Sequence, residues 1–103
     1  MDQKIEKIVW TTKALNTYNS IINYLEKEWT EKEVQNFISE TNSLILSLTR
    51  YPEIGRPSQK RKNTRIYLLN KHTSLTYHFS ARKTQITILL FWNQKRNPKD
   101  FSY

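Results

Sequence analysis

The stretch EIGRPSQKRKNTRIYLL, residues 53–69, places Arg56, Lys60, Arg61, Lys62 and Arg65 close together, with no carboxylate after Glu53. Guanidinium and ammonium groups at this density bind phosphate or carboxylate oxygens. The rest of the chain sharpens that reading. Residues 1–53 carry six Lys/Arg against eight Asp/Glu, whereas residues 54–103 carry eleven against one acid, Asp100. A charge of +8 spread evenly would be a solubility feature. Confined to one half, it predicts a face that meets phosphates or an acidic protein, the plain alternative being a solvated basic surface. The stretch also holds the chain's one glycine, Gly55. Glycine is free to adopt positive φ, which suits a turn leaving a helix.

Other chemistries are thinly represented. No metal site is expected, because His72 and His78 lack neighbouring carboxylate or thiolate ligands and the chain has no cysteine. One glycine cannot build a phosphate-cradling loop, and no serine or threonine is marked as a nucleophile by an adjacent base. Neither a small-molecule cofactor nor a membrane partner is predicted. The N-terminal MDQKIEKIVW has no apolar core of a signal peptide, and no apolar run is long enough to span a bilayer. These features predict a soluble, cytoplasmic protein whose residues 1–103 form a single domain.

The elements that must carry the basic stretch follow from hydrophobic period. KIEKIVW, residues 4–10, reads as a short strand. A helix follows with Thr11 or Thr12 as N-cap and Leu15, Tyr18, Ile22, Leu25 and Trp29 on its apolar stripe. Thr30-Glu31-Lys32-Glu33 has the form of a capping box. It opens a second helix with Val34, Phe37, Ile38, Thr41, Leu44, Ile45 and Leu48 inward, ending near Arg50–Tyr51 ahead of Pro52. The period then changes to that of strands over 65–69, 74–79 and 85–92, joined by turns short enough for hairpins. In the middle strand Leu75, Tyr77 and Phe79 face one way, Thr76 and His78 the other. The expected fold is α+β, in the order β-α-α-β-β-β. A helical hairpin covers one face of a mainly antiparallel sheet, with the first strand at an edge or beside the last. Trp10, Trp29 and Trp92 read as core or rim aromatics.

This layout, together with the tyrosine-proline ending of the second helix, the EIGRP after it, TRIYLLNKHTSLTYHF, and a last strand running into NQKRNP, resembles the RelE/ParE superfamily of type II toxin–antitoxin toxins. The resemblance spans nearly the whole chain. It implies a plasmid-stabilising, growth-inhibiting toxin neutralised by a co-expressed antitoxin. In the family a Gly-Arg pair and an arginine opening the second strand flank a variable loop; Gly55, Arg56 and Arg65 fall at those positions. Arg56, Lys60, Arg61, Lys62, Arg65, Lys71 and Arg82 are the candidate contacts to target or antitoxin. Charge reversal at Arg56, Arg61 and Arg65 together is expected to weaken antitoxin binding. Taken alone, Arg65 could instead pair with Asp100 or the chain terminus.

The resemblance implies two alternative activities. RelE-like members cleave messenger RNA on the ribosome without a metal, by general acid–base and electrostatic catalysis. Carried over to this chain, that activity would draw on His72, His78, Lys95, Arg96 and Tyr103. The family tyrosine after the last strand is replaced by Phe101, which cannot exchange a proton, unless Tyr103 takes its place. ParE-like members instead poison DNA gyrase and need no catalytic groups. The Gly-Arg loop and Arg96-Asn97-Pro98 tip the reading toward gyrase. His72 and His78 also read simply as a turn histidine and an outward strand histidine. An inactive relative or a plain nucleic-acid-binding module stands behind both.

Overall fold

A computed structural model describes residues 5–94 and 101–103. Strand β1 (Lys7–Trp10) leads into helix α1 (Thr12–Glu28) and helix α2 (Glu31–Arg50). Four further strands follow: β2 (Arg56–Pro57), β3 (Thr64–Asn70), β4 (Thr73–Ser80) and β5 (Gln85–Asn93). They form one sheet in the order β1-β5-β4-β3-β2, with β1 parallel to β5 and every other pair antiparallel. The expected α+β layout is therefore present, with β1 both at an edge and beside the last strand. The two-residue β2 was not expected: Arg56 and Pro57 pair with Ile66 and Arg65, so the basic stretch begins as an edge ribbon.

The helical hairpin covers one face of the sheet. Phe37, Leu44 and Leu48 of α2 meet Leu75, Tyr77, Phe79, Ile86, Ile88 and Phe91 in a single apolar core. Trp10, Tyr18, Phe37 and Phe91 stack within it, with ring centroids 5.0–5.4 Å apart for the Tyr18–Phe91 and Trp10–Phe91 pairs. The α2 period is as read. In α1 the stripe is rotated: fully buried Ala14 lies where the helix packs closely, and Tyr18, Ile21, Ile22 and Leu25 continue its face. Leu15 is left 48% exposed and Trp29, past the helix end, 57% exposed.

Thr11 caps α1, its hydroxyl accepting the Ala14 N–H at 3.0 Å. The capping box on α2 does not form. Thr30 occupies the N-cap without a side-chain bond, and the Glu33 N–H reaches the Thr30 carbonyl at 3.0 Å instead.

A β-bulge positions the end of β5. Thr76 pairs with Leu90 but Tyr77 pairs with Ile88, leaving Leu89 extra. The α1 N-terminus serves the disturbed backbone: Thr11 donates to the Leu89 carbonyl at 3.2 Å, and the Thr17 hydroxyl accepts the Phe91 N–H at 3.0 Å. The shift points Ile88 and Phe91 to the helices and Leu90 and Trp92 to the other face. That outer face is also closed at its centre, where Ile66, Thr76, Leu90 and Trp92 are all buried. Phe101 packs on Trp92 there at 5.2 Å. Among the described residues no helix is long and apolar enough to cross a membrane.

Candidate functional site

The basic stretch is anchored from below by Tyr77. Its ring is fully buried, and its hydroxyl donates to the Pro52 carbonyl at 2.6 Å while accepting the Gly55 N–H at 3.0 Å. Burial pushes the Tyr77 phenol above its ordinary value, with the Gly55 amide and the Arg65 charge pulling the other way.

Gly55 does not adopt positive φ, contrary to the expectation of a left-handed turn. Close approach is the reason for glycine here. A Cβ would lie 3.0 Å from Tyr77 Cε1 and Oη and 3.1 Å from Arg65 Cβ. The Tyr77 ring is held by core packing and two hydrogen bonds, so it cannot yield easily. Gly55→Ala is expected to destabilise the fold by about 1–3 kcal/mol, the range for overpacking a filled site. Urea denaturation of the two proteins checks this.

Above this joint the cations divide into two groups. Arg65 is spent on the chain itself, its Nη1 donating to the carbonyls of Gly55 at 2.7 Å and Glu53 at 3.0 Å. It holds the helix-exit turn against β3. Arg61, Lys62 and Arg82 line a pocket of about 470 Å³, whose wall also includes Ser58, Ser80, Glu53 and Arg65 itself. Arg82 comes from the β4–β5 turn, so the sheet brings together cations that are far apart in sequence. Arg56 is exposed on the edge ribbon.

The loop at this pocket is organised by Ser58, whose Oγ accepts the N–H groups of Lys60 and Arg61, both at 3.1 Å. The same hydroxyl donates to a main-chain oxygen of Tyr103. Lys60 Nζ donates to the Phe101 carbonyl at 3.4 Å, and Arg61 Nε to the Ser102 carbonyl at 3.3 Å. The Arg61 guanidinium lies 4.5 Å from the Tyr103 ring centroid, and Lys13 Nζ lies 5.7 Å from it. Sequence reasoning missed Ser58 and Lys13. A lysine in the first turn of a distant helix carries no local signal of such a role.

Lys71 and His72 lie elsewhere, in the β3–β4 turn, on a separate cleft of about 400 Å³ shared with Tyr24, Trp29, Phe37 and Glu40. Asn70 fixes that turn: its Oδ1 accepts the N–H of His72 at 2.8 Å and of Thr73 at 3.0 Å, and its Nδ2 donates to Glu40 at 3.1 Å. His78 is half-buried on the outer sheet face, between Thr64 and Thr87 of the neighbouring strands. Six residues of extended chain separate the two histidines by about 20 Å, so they cannot serve one phosphate. Lys95 and Arg96, with Asn97 and Pro98, lie outside the described residues. Among the described residues no cluster of His, Cys, Asp or Glu could hold a metal ion.

Residues 8–98 match the family model for the ParE toxin of the type II toxin-antitoxin system parDE. Three solved structures share the fold. A chromosomal ParDE toxin–antitoxin system from P. aeruginosa superposes with a TM-score of 0.70 at 17% identity, covering 86% of this chain and 96% of that one. A YoeB/ParE toxin from Agrobacterium tumefaciens gives 0.62 at 16% identity, over 86% and 99% of the two chains. The RelBE2 toxin-antitoxin complex from Mycobacterium tuberculosis gives 0.60 at 14% identity, over 90% and 95%. No sequence among the curated proteins matches.

Proposed function

The chain belongs to the ParE toxin family of type II toxin–antitoxin systems, and on that premise we propose that it acts by binding, as a ParE-like poison of DNA gyrase in the cytoplasm. One observation carries this reading. Arg61, Lys62 and Arg82 converge on a single pocket, whereas His72 and His78 stand about 20 Å apart. A convergent set of cations is suited to docking; dispersed histidines supply no acid–base pair. No cofactor or metal is invoked.

A cognate antitoxin is the second partner. Among the structural neighbours are a ParDE system and a RelBE2 complex. The cleft beside the helical hairpin offers an apolar wall of Tyr24, Leu25, Trp29 and Phe37 to a segment that folds on binding.

The nuclease reading keeps one observation in its favour: the Tyr103 ring, not Phe101, lies beside Arg61. Purified protein added to gyrase and supercoiling substrate separates the two. The expected result is loss of supercoiling with accumulated cleaved DNA, unaltered by His72→Ala or His78→Ala. Primer extension showing fresh cleavage of messages at codon positions, with gyrase unaffected, would replace this reading by the nuclease.

A further inference from the structure

We propose that residues Phe101–Tyr103 form an intramolecular latch on the basic pocket, displaced when a phosphodiester chain takes the donors that now hold it. The inference rests on the reading of this pocket as the target-facing surface. Its observations are separate. Three consecutive residues each give a main-chain oxygen to a different donor of one loop: Phe101 to Lys60, Ser102 to Arg61 and Tyr103 to Ser58. Two of those donor residues, Ser58 and Arg61, also line the pocket with Lys62 and Arg82. The latch therefore occupies donors at the edge of the pocket without lining the pocket itself, and leaves Lys62 and Arg82 to an incoming ligand.

The geometry of the latch indicates what replaces it. A row of oxygens meets the cations while a planar ring lies 4.5 Å from the Arg61 guanidinium. Single-stranded nucleic acid offers the same two features, phosphate oxygens along a backbone and flat bases that stack on arginine. An acidic peptide offers oxygens but no matching sequence of rings. The existing contacts are weak enough to exchange. Lys60, Arg61 and Ser102 are exposed, and an exposed cation–π contact holds only modestly. At the other end, Phe101 against Trp92 keeps the segment close to the sheet when the donors let go.

The test uses the full chain, isotopically labelled for amide NMR, and a mixed-sequence single-stranded DNA of about 12 nucleotides, a length within the span of common single-strand sites. DNA saturation is expected to shift the amide signals of Ser58, Arg61 and Ser102 together. Tyr103→Ala, which removes the ring, is expected to tighten DNA binding by about three- to tenfold, the scale of an exposed cation–π contact and its neighbouring hydrogen bonds. In the free variant the same amides should already lie toward their DNA-bound positions, while Tyr103→Phe, which keeps the ring, should match the wild type. Unchanged or weakened DNA binding by Tyr103→Ala would overturn the latch, as would displacement of the segment by a glutamate-rich peptide but not by DNA. Gyrase inhibition is measured on the same samples. A latch that responds to DNA without gyrase inhibition would leave the inference standing and remove the gyrase reading; the opposite pattern would do the reverse.

Discussion

Tyr77→Ala is expected to destabilise the protein by about 3–5 kcal/mol, the range for truncating a buried aromatic. The ring is fully buried in the core, and its hydroxyl ties the turn after α2 to β4. Tyr77→Phe keeps the packing and removes that tie. The Gly55 N–H and Pro52 carbonyl are then left without a buried partner, at a cost of about 1–3 kcal/mol. Because the turn leads directly into the basic loop, Tyr77→Phe should also loosen Arg65 and raise amide exchange from Glu53 to Ser58. Denaturant titrations give the stabilities, and exchange measurements locate the loss. Equal protection of these amides in both proteins would show that the hydroxyl does not position the loop.

The same residue sets a response to alkali. Burial raises the Tyr77 phenol above its ordinary value of 10.0, and burial likewise raises Tyr18, with a hydrogen bond to Thr41 opposing it. A group whose folded pKa lies above its unfolded value contributes stability fully below the unfolded value and loses it as pH rises through the folded one. Stability should therefore be insensitive to these tyrosines at neutral pH and fall steeply above about pH 10. Tyr77→Phe should lose less stability than the wild type over the same alkaline interval. Thermal melts across that range check the sign.

How much of this is legible in the residues depends on what sets each feature. The α2 period is readable because Val34, Phe37, Thr41, Leu44 and Leu48 all lie on one side of a regular helix. The α1 face differs from its apolar spacing because Ala14, small and weakly hydrophobic, marks the closest packing, while larger Leu15 points away. The bulge at Leu89 is hidden: ILLFW shows no break in hydrophobicity, and the groups that serve the bulge are Thr11 and Thr17, over seventy residues earlier. Gly55 reads as structural from its place after a helix, but its cause is the tyrosine ring beneath it, which only the register of β4 brings there. The clustering of charge at 56–65 is plain from sequence. That Arg65 turns inward while Arg82 joins from another turn is not, because it depends on which strand edges meet.

Those two arginines determine how the pocket's function is best tested. Arg61→Glu, Lys62→Glu and Arg82→Glu combined should weaken binding to the target by about a hundredfold or more, since a single charge-assisted hydrogen bond contributes about 1.5–3 kcal/mol and reversal adds repulsion. All three side chains are exposed, so the variant should fold with a melting temperature close to that of the wild type. Arg65→Glu belongs in a separate experiment, because removing its bonds to the Glu53 and Gly55 carbonyls would disturb the turn and confound the result. The triple variant should no longer arrest growth on induced expression or inhibit gyrase in solution. Where the bound partner is a phosphate backbone, the wild type's affinity should also fall with salt, and the variant's logarithmic slope should be shallower by about 0.7–0.9 for each phosphate it no longer neutralises. Antitoxin contacts in the cleft at Tyr24, Trp29 and Phe37 should survive, because that cleft and the basic pocket share no residues, so only the contribution expected from Arg61 should be lost. Full toxicity in a folded triple variant would move the active surface away from the pocket; loss of antitoxin binding alongside toxicity would place both partners on the same cations.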